Sequence, residues 1–438
     1  MKRRSLWAAL LSLLLSSPAP AQAPTDVTIK TTKGGIRTRI HCEALEPAGD
    51  RGARSMSVPA DEVLADDLEN SAVFSVTRAW VPGQQPFDIQ ATVGGQWAAS
   101  GSQLKLTGEV RDVPARRPIL VREYRGALAE WRSLVHRFAD DVVLQFTGEP
   151  GVAQTRIAFV SAQAGVKELC TVDLDGARLR TLTADKSIAL SPAWSPEGSL
   201  LIFTSYRGGS GPQVFVMSAE GGRAYLLSGR PGLNTSASYS PDGRDIVCTL
   251  SQDGNPEIYL LDARGSSPRR LTNNRAIDTS PCWAPTGREI AFTSDRGGTP
   301  QVYVMDRDGG NVRRLSYDVD YTDSPAWAPK GDRIAFVART GAGFDIYVCR
   351  ADGSGAQLVV GGGSNENPRW SPDGRHLVFA SNRDGSPGLY VTDLDERPPR
   401  RLDTGGLRAQ SPAWSPRPPG SGSALDVNID SGNRGGTR

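Results

Sequence analysis

An aromatic residue followed by Ser-Pro or Ala-Pro recurs six times along the chain. The aromatic positions are Trp194, Tyr239, Trp283, Trp327, Trp370 and Trp414, with spacings of 45, 44, 44, 43 and 44 residues. Each period holds four short strand-like segments, labelled A to D in chain order, which are separated by turn residues such as Pro-Asp-Gly and Arg-Gly-Gly. Four strands in roughly 44 residues are typical of one blade of a β-propeller.

The number of strands predicts a closed ring of six blades. Strands B, C and D occur first without a strand A, at 156–160, 168–173 and 179–183, and the repeats end on a lone strand A at 411–416. These fragments together complete one blade. Five full repeats supply the others, and they begin at Ser191, Ser236, Ser280, Ser324 and Asn367. An open solenoid is the alternative, but it would need polar capping repeats that the sequence does not contain.

The N-terminal segment has the features of a secretory signal peptide. Lys2, Arg3 and Arg4 precede an apolar run over 6–15, and Ala21-Gln22-Ala23 has the form of a cleavage site. The run is too short to span a bilayer, which makes a membrane anchor the weaker alternative. The predicted regions are a signal peptide (1–23), an N-terminal α/β domain (24–150), a six-bladed propeller (151–416) and a disordered tail (417–438) rich in Gly, Ser, Pro and Asn.

The region between the signal peptide and the propeller shows helical and strand-like patterns. Apolar residues on one side predict a helix over Ala60–Val73, and a second stripe at helical spacing runs from Leu128 to Val142. Strand-like segments lie at Phe74–Arg78, Gln103–Val110 and Ile119–Tyr124. This alternation predicts a small α/β domain in front of a mainly β protein.

The formal charge excludes some classes of partner. Removal of the predicted signal peptide, which carries three cations and no acids, takes the net charge from +2 to −1. A nearly neutral chain argues against nucleic acid or anionic lipid as the main partner. Outside the signal peptide, no stretch is apolar enough to suggest direct membrane insertion.

The cysteines indicate neither a disulfide framework nor a metal site. They are Cys42, Cys170, Cys248, Cys282 and Cys349, an odd number with no short motif shared by any two. We expect no essential disulfide, because a buried thiol in a strand behaves as a small hydrophobic group.

Residues for catalysis or metal binding are sparse, and we expect no cofactor and no metal. The sequence contains no G-x-S-x-G nucleophile elbow. His41, His136 and His376 lie in separate regions, and His376, the one in the propeller, is expected to be a partly exposed strand residue. Asp-x-Asp-Gly at 173–176 and 306–309 resembles the start of a calcium loop but lacks the closing glutamate, so turn chemistry is the better interpretation.

The geometry of a propeller singles out one set of residues. The chain crosses from the outer strand D of one blade to the inner strand A of the next, which places the residues before each aromatic at the mouth of the central channel. These pairs are Leu190-Ser191, Thr235-Ser236, Thr279-Ser280, Asp323-Ser324, Glu366-Asn367 and Gln410-Ser411. They are either ordinary turn residues or a ring of polar groups for a partner loop.

Several motifs carry a resemblance to a known family. The repeat Ser-Pro-Ala-Trp-Ser-Pro-(Asp/Glu)-Gly, followed by Ile-Ala-Phe-Thr-Ser and Gln-Val-Tyr-Val-Met-Asp, resembles that of the TolB family, periplasmic propellers of the Tol-Pal system. Asp61–Ser71 is similar to the first helix of that family, and Thr155–Val160 to the entry into its first blade. The chain departs from the family in its extension to Arg438 and in Leu233 and Ser280, where the family usually has His and Glu.

The resemblance implies a periplasmic, non-catalytic scaffold that supports outer-membrane integrity and cell division. It implies a Pal-like peptidoglycan-associated lipoprotein bound at the channel mouth, through Leu233, Asn234, Thr235, Ser236, Asp278, Thr279 and Ser280. The ring geometry adds Asp323, Ser324, Glu366 and Asn367. A TolA-like inner-membrane protein is expected to bind the N-terminal strand, Thr25, Asp26, Val27, Thr28, Ile29 and Lys30. The alternative is a TolB-like polysaccharide lyase or hydrolase, which would need a metal or converging His, Tyr and Arg side chains in the channel.

Overall fold

The computed structural model describes residues 37–48, 57–79, 88–209, 211–317, 319–341, 343–394 and 397–420. The predicted signal peptide, the predicted N-terminal strand and residues 421–438 of the predicted tail lie outside the described residues. Within the described ranges, no helix has the length and apolarity that crossing a membrane requires.

The N-terminal region folds into a five-stranded sheet with two helices. In chain order its elements are β1 (Thr38–Pro47), α1 (Ser57–Glu69), β2 (Phe74–Thr77), β3 (Ala91–Ser100), β4 (Gln103–Asp112), β5 (Arg117–Ala127) and α2 (Trp131–Thr147). The strand order is β2-β1-β3-β4-β5, with β1 parallel to β2 and β3 and the other pairs antiparallel. The helices and the sheet share one apolar core, in which the rings of Phe74 and Phe146 meet edge to face at 5.0 Å.

The structure confirms the α/β character of this region and adds two strands that the sequence did not reveal. In β1, a register shift between Cys42 and Leu45 breaks the alternation that identifies a strand. In β3, the sequence pair Gly94-Gly95 is typical of a turn and not of a strand. At Gly95 a side chain is impossible, because an added Cβ would lie 2.3 Å from the carbonyl oxygen of Thr107 in β4. Glycine is therefore required there for the two strands to pair.

The remaining strands form six four-stranded antiparallel sheets, as the repeat predicts. The first sheet contains β6 (Arg156–Gln163), β7 (Val166–Asp173) and β8 (Arg180–Thr181). The second is β9 (Ala189–Trp194), β10 (Leu200–Ser205), β11 (Gln213–Ser218) and β12 (Tyr225–Ser228). The third is β13 (Asn234–Tyr239), β14 (Asp245–Leu250), β15 (Glu257–Asp262) and β16 (Arg269–Arg270).

The last three sheets continue the same pattern, and the final strand returns to the first sheet. The fourth is β17 (Asp278–Trp283), β18 (Glu289–Ser294), β19 (Gln301–Asp306) and β20 (Arg313–Arg314). The fifth is β21 (Thr322–Trp327), β22 (Arg333–Thr340), β23 (Gly343–Arg350) and β24 (Gln357–Val360). The sixth is β25 (Asn365–Trp370), β26 (His376–Ser381), β27 (Gly388–Asp393) and β28 (Arg400–Arg401), after which β29 (Ala409–Trp414) joins the first sheet.

The repeated aromatic residues join neighbouring blades. The indole Nε1 of Trp194 donates to the carbonyl of Ala413 in the preceding blade at 3.0 Å, and that of Trp370 donates to the carbonyl of Ala326 at 2.9 Å. Trp194 and Trp370 thus bury a large ring between two sheets while satisfying the indole N–H. Trp327 donates instead to Gly331 of its own blade, and Nε1 of Trp283 has no partner among the described residues. Burial of the ring, which all five tryptophans share, is therefore what recurs once per blade.

The ring closes where β29 pairs with β6. Ala409 lies opposite Ser161, and Trp414 lies opposite Ile157. Trp414 also donates from Nε1 to the hydroxyl of Thr155 at 2.9 Å, on the segment that leads into β6. The first and last strands of the propeller therefore hold each other, and the first sheet has no open inner edge.

We predict that closure stabilises the whole ring. A chain that ends after Arg408 exposes the inner edge of β6 and loses the indole of Trp414, so its thermal midpoint should fall by roughly 10 °C or more with a broader transition. A chain that ends after Gly420 retains β29 and should melt like the parent. Equal melting of the two truncated chains, followed by circular dichroism, would contradict this role for β29.

Candidate functional site

The predicted mouth residues lie within the inner strands themselves. The six inner strands are β9, β13, β17, β21, β25 and β29, and adjacent ones contact each other around the ring. Each begins at the mouth, two residues before the predicted start of its repeat, so that Asn234 opens β13 and Asp278 opens β17. We expected crossing loops at these positions. Each inner strand, for example β13 or β17, pairs with strand B of its own blade on both sides of a bulge. It is therefore longer than its apolar pattern suggests.

The bulge contains an unusual backbone conformation in every blade. The third residue of each inner strand has a left-handed φ: Ser191 (48°), Ser236 (52°), Ser280 (53°), Ser324 (54°), Asn367 (53°) and Ser411 (49°). For residues other than glycine this conformation costs on the order of 1 kcal/mol each, and such strain tends to occur at functional sites. Because this left-handed residue occurs in every blade, all six inner strands change direction in the same way at one level of the channel.

Two predicted site residues are buried and hold the mouth together. Asn234 is fully buried; its carbonyl oxygen accepts from the Ser228 hydroxyl at 2.8 Å, and its amide donates to the carbonyl of Arg230 at 2.7 Å. Asp278 is also fully buried, and its carboxylate pairs with Arg296 at 2.9 Å. The buried side chains of Asn234 and Asp278 therefore hold the backbone of the channel mouth in place.

Arginines in the hairpins between strands B and C make the mouth rigid. Arg296 stacks on Phe292 and Tyr303, 5.1 Å from each ring centre, while it pairs with Asp278. Arg383 repeats this arrangement, with rings at 5.2 and 5.1 Å and a 2.8 Å hydrogen bond to Asn365. From the sequence we interpreted Arg296, in its Arg-Gly-Gly, as turn chemistry, and Arg383 was not singled out. The signal that could have identified them is the recurrence of Ser-x-Arg after strand B, at 205–207, 294–296 and 381–383.

Other predicted residues leave part of their surface open at the mouth. Leu233, Thr235, Ser236, Thr279, Ser280, Asp323, Ser324 and Asn367 are half-buried, and Glu366 is exposed. The hydroxyl of Thr235 lies 3.1 Å from that of Thr204 in the preceding blade, and Asp323 accepts from Thr293 at 2.7 Å. On the same face of the propeller, Ile277, which directly precedes β17, is 50% exposed, and Tyr317, which follows β20, is 68% exposed. The mouth therefore offers polar groups on a fixed frame, with two apolar side chains at its rim.

The N-terminal domain contacts the opposite face of the propeller. Its partners lie in the turns between strands A and B or between strands C and D. Arg132 pairs with Asp175 at 2.6 Å, and Glu149 pairs with Lys330 at 3.1 Å. Because antiparallel strands alternate in direction, these turns lie at the end of the blades away from the mouth. Within the described residues, the mouth is left uncovered by the N-terminal domain.

His376 belongs to this domain contact, and our expectation of partial exposure was wrong. Its side chain is buried, its Nε2 lies 3.0 Å from the carbonyl oxygen of Asn70 in the N-terminal domain, and its ring packs 6.0 Å from that of Trp414. His376 is buried because the N-terminal domain packs against it. The repeat pattern of the propeller gives no information about that contact.

A buried ionic cluster forms the centre of the domain contact. His136 lies between Asp67, 2.6 Å from its Nδ1, and Asp175 of the propeller, 3.4 Å from its Nε2. Burial alone would lower the pKa of His136, but the two carboxylates outweigh it and raise that pKa from 6.5 to about 10. Despite burial, His136 and Arg132 hold the pKa of Asp175 well below its usual range. Opposite charges therefore face each other across the two domains.

The same cluster contains a set of potential metal ligands. Among the described residues, His136, Asp173 and Asp175 bring three ligand atoms within 4.8 Å of one another. Arg132 pairs with Asp175, and Arg178 pairs with Asp173. These guanidinium groups already neutralise the carboxylates, so the arrangement is better suited to an ion-pair network than to a cation.

Comparison with known proteins gives a consistent result. The sequence profile described as "TolB beta propeller domain" matches residues 143–418. The chain is 37% identical over 267 residues to the Tol-Pal system protein TolB of Anaeromyxobacter dehalogenans, a match that covers 57% of this chain and 60% of the relative. It is 35% identical over 211 residues to the protein of the same name from Desulfosudis oleivorans, covering 44% and 48% of the two chains. The matched segments thus span at most about 60% of the length of these relatives.

A solved structure matches over a larger part of the chain. The crystal structure of TolB from Acinetobacter baumannii superimposes with a TM-score of 0.78 at 26% identity, covering 87% of this chain and 97% of that one. A nidogen–laminin complex structure shares the propeller fold alone, with a TM-score of 0.51 at 13% identity.

We predict that His136 stabilises the domain contact in a pH-dependent way. His136→Gln leaves Asp67 and Asp175 without their shared cation and should reduce the free energy of unfolding by about 3 kcal/mol near neutral pH. Because folding raises the pKa of His136, its contribution is complete below 6.5 and is lost as the pH rises through about 10. Urea denaturation of both proteins should give a difference that shrinks over this interval. A difference independent of pH would contradict the assignment.

Proposed function

The chain belongs to the TolB beta propeller domain family, and we propose that it is a non-catalytic, periplasmic protein-binding scaffold of a Tol-Pal system. The observation that carries the proposal is the ring of left-handed bulges at an uncovered channel mouth. A rigid ring of this kind presents backbone and side-chain polar groups from six blades to one axial depression. A single inserted loop can therefore contact several blades at once.

The mouth suits a protein loop better than a small molecule. Its half-buried groups are mostly hydroxyls and amides, which form adaptable hydrogen bonds, and the exposed Ile277 and Tyr317 supply apolar contact at the rim. We propose that a Pal-like peptidoglycan-associated lipoprotein binds here, as the family membership suggests. Tethering this lipoprotein is how the chain would support outer-membrane integrity and cell division.

The proposed second partner is a TolA-like inner-membrane protein. We propose that it binds the N-terminal strand, Thr25 to Lys30, on the basis of the family resemblance alone, because this segment lies outside the described residues. The predicted signal peptide, which also lies outside them, supports a periplasmic location.

A lyase or hydrolase is the competing class of function. Such an enzyme would need acids, bases or a metal converging in the channel. The described inner strands contain no histidine, and His376 is occupied in the domain contact on the far face. We therefore favour binding over catalysis.

A bulky residue at the mouth tests the binding site. In Ser280→Trp, the indole would fill the depression and exclude an inserted loop, so binding to the soluble part of a Pal-like lipoprotein should weaken at least about 100-fold. The matched control is Ser267→Trp. Ser267 has the same φ of 53° but lies in the C–D turn of the third blade, on the opposite face. Both variants place a tryptophan at a residue with the same backbone strain. A loss of binding in Ser280→Trp alone therefore reports blocking of the mouth and not a general loss of stability.

Isothermal titration calorimetry provides the measurement, with circular dichroism to compare melting. Normal binding by the Ser267 variant together with loss of binding by the Ser280 variant supports the mouth. If both variants bind as tightly as the parent, the partner binds elsewhere. If the parent binds neither a Pal-like lipoprotein nor any other envelope protein, and instead turns over a polysaccharide, the scaffold proposal is wrong.

A further inference from the structure

One position of the inner strands breaks the pattern of small residues. The residue immediately before the aromatic is Ala193, Ser238, Cys282, Ala326 and Ala413 in five blades, and Arg369 in the sixth. Where this residue is Ala or Cys, its side chain packs against the apolar core between neighbouring blades. Arg369 thus places a long charged side chain where every other blade has at most two side-chain heavy atoms.

Arg369 has few partners inside the protein. Its one hydrogen bond among the described residues is short-range, from Nη1 to the carbonyl of the adjacent Pro368 at 2.8 Å. It forms no ion pair within those residues. The carboxylate of Asp323 influences it only at longer range and already accepts hydrogen bonds from Thr293 and from the backbone of Ser324.

Its surroundings disfavour a cation. Burial lowers the pKa of the Arg369 guanidinium, and the opposing influence of Cys282 and Asp323, on the two preceding blades, does not compensate. The Arg369 charge in turn opposes, without outweighing, the rise that burial causes in the pKa of the Cys282 thiol on the fourth blade. The side chain nevertheless keeps part of its surface accessible. A charge that is deep in a protein, unpaired and still accessible is one that an external anion can reach.

A second polar group lies at the same level of the ring. Ser238 is the equivalent residue of the third blade, opposite the sixth in a six-blade ring, and its hydroxyl is buried without a hydrogen-bond partner. Buried hydroxyls are seldom left unpaired, because doing so costs roughly 1–3 kcal/mol. The partly accessible guanidinium of Arg369 and the unpaired hydroxyl of Ser238 are both hydrogen-bond donors, which is what an oxyanion requires.

We propose that the central channel is an anion-binding site, in which Arg369 holds a carboxylate or phosphate group with the hydroxyl of Ser238 as a supporting donor. The planar guanidinium presents paired N–H groups that match the two oxygens of such an anion. This site lies beyond the mouth ring and does not depend on the identity of the protein partner.

Anion-dependent stabilisation of the full chain tests the proposal. Inorganic phosphate and, separately, acetate replace chloride at constant ionic strength, and the thermal midpoint is measured. A site that binds only the folded protein should raise the midpoint of the parent by a few degrees at saturation. The matched control, Arg288→Met, removes an exposed arginine from an A–B turn and should keep the full shift.

The variants of Arg369 distinguish a specific site from a general salt effect. Arg369→Met should lose the shift, and in chloride it should melt no lower than the parent because an unpaired charge has been removed. Arg369→Lys keeps a cation but loses the paired N–H groups of the guanidinium. Calorimetry should therefore show an affinity for the stabilising anion that is reduced about tenfold. An undiminished shift in both Arg369 variants, or no shift and no heat of binding in the parent with either anion, would overturn the proposal. A shift with acetate alone identifies a carboxylate site, and one with phosphate alone a phosphate site.

Discussion

Pairing between β29 and β6 closes the propeller and thereby fixes how all six blades are arranged. It joins segments about 250 residues apart in the chain, as the hydrogen bond between Ser415 and Arg156, separated by 259 positions, illustrates. A long loop costs more conformational entropy to close than a short one, although this cost grows only slowly with length. The six inner strands converge on one axis only when this pairing forms. The channel mouth, the strained bulges and the internal arginine all acquire their geometry from closure.

The fold was largely predictable from sequence, because each blade is encoded locally. The aromatic motif, the apolar strand B and the glycine turns recur at a fixed period, and they predicted six blades and the closing strand. The elements that were missed, β1 and β3, depend on non-local pairing. In β3 the decisive fact is the proximity of Gly95 to the carbonyl of Thr107, which no periodic pattern encodes.

The candidate site was predictable in position but not in detail. Propeller geometry placed Thr235, Ser280 and their equivalents at the mouth, and the structure brings these positions together on adjacent inner strands. The burial of Asn234 and Asp278 could not be foreseen. It depends on hydrogen bonds that join Asn234 to Ser228 and Arg230 at the end of the preceding blade, and on the ion pair of Asp278 with Arg296 of a B–C hairpin. The two faces also differ for a non-local reason: the ionic cluster around His136 fixes the N-terminal domain to the turns and leaves the mouth open.

Hydrogen–deuterium exchange of the full chain, with and without the soluble part of a Pal-like lipoprotein, tests whether the partner binds at the channel mouth, because it reports on every blade in one measurement. We expect the added partner to slow exchange at the starts of the inner strands, around Thr235, Thr279 and Asp323, in several blades at once. The C–D turns of the third and fourth blades, around Ser267 and Gly309, should exchange as before. Protection confined to those turns, or to the N-terminal domain, with no change at the mouth, would contradict the account.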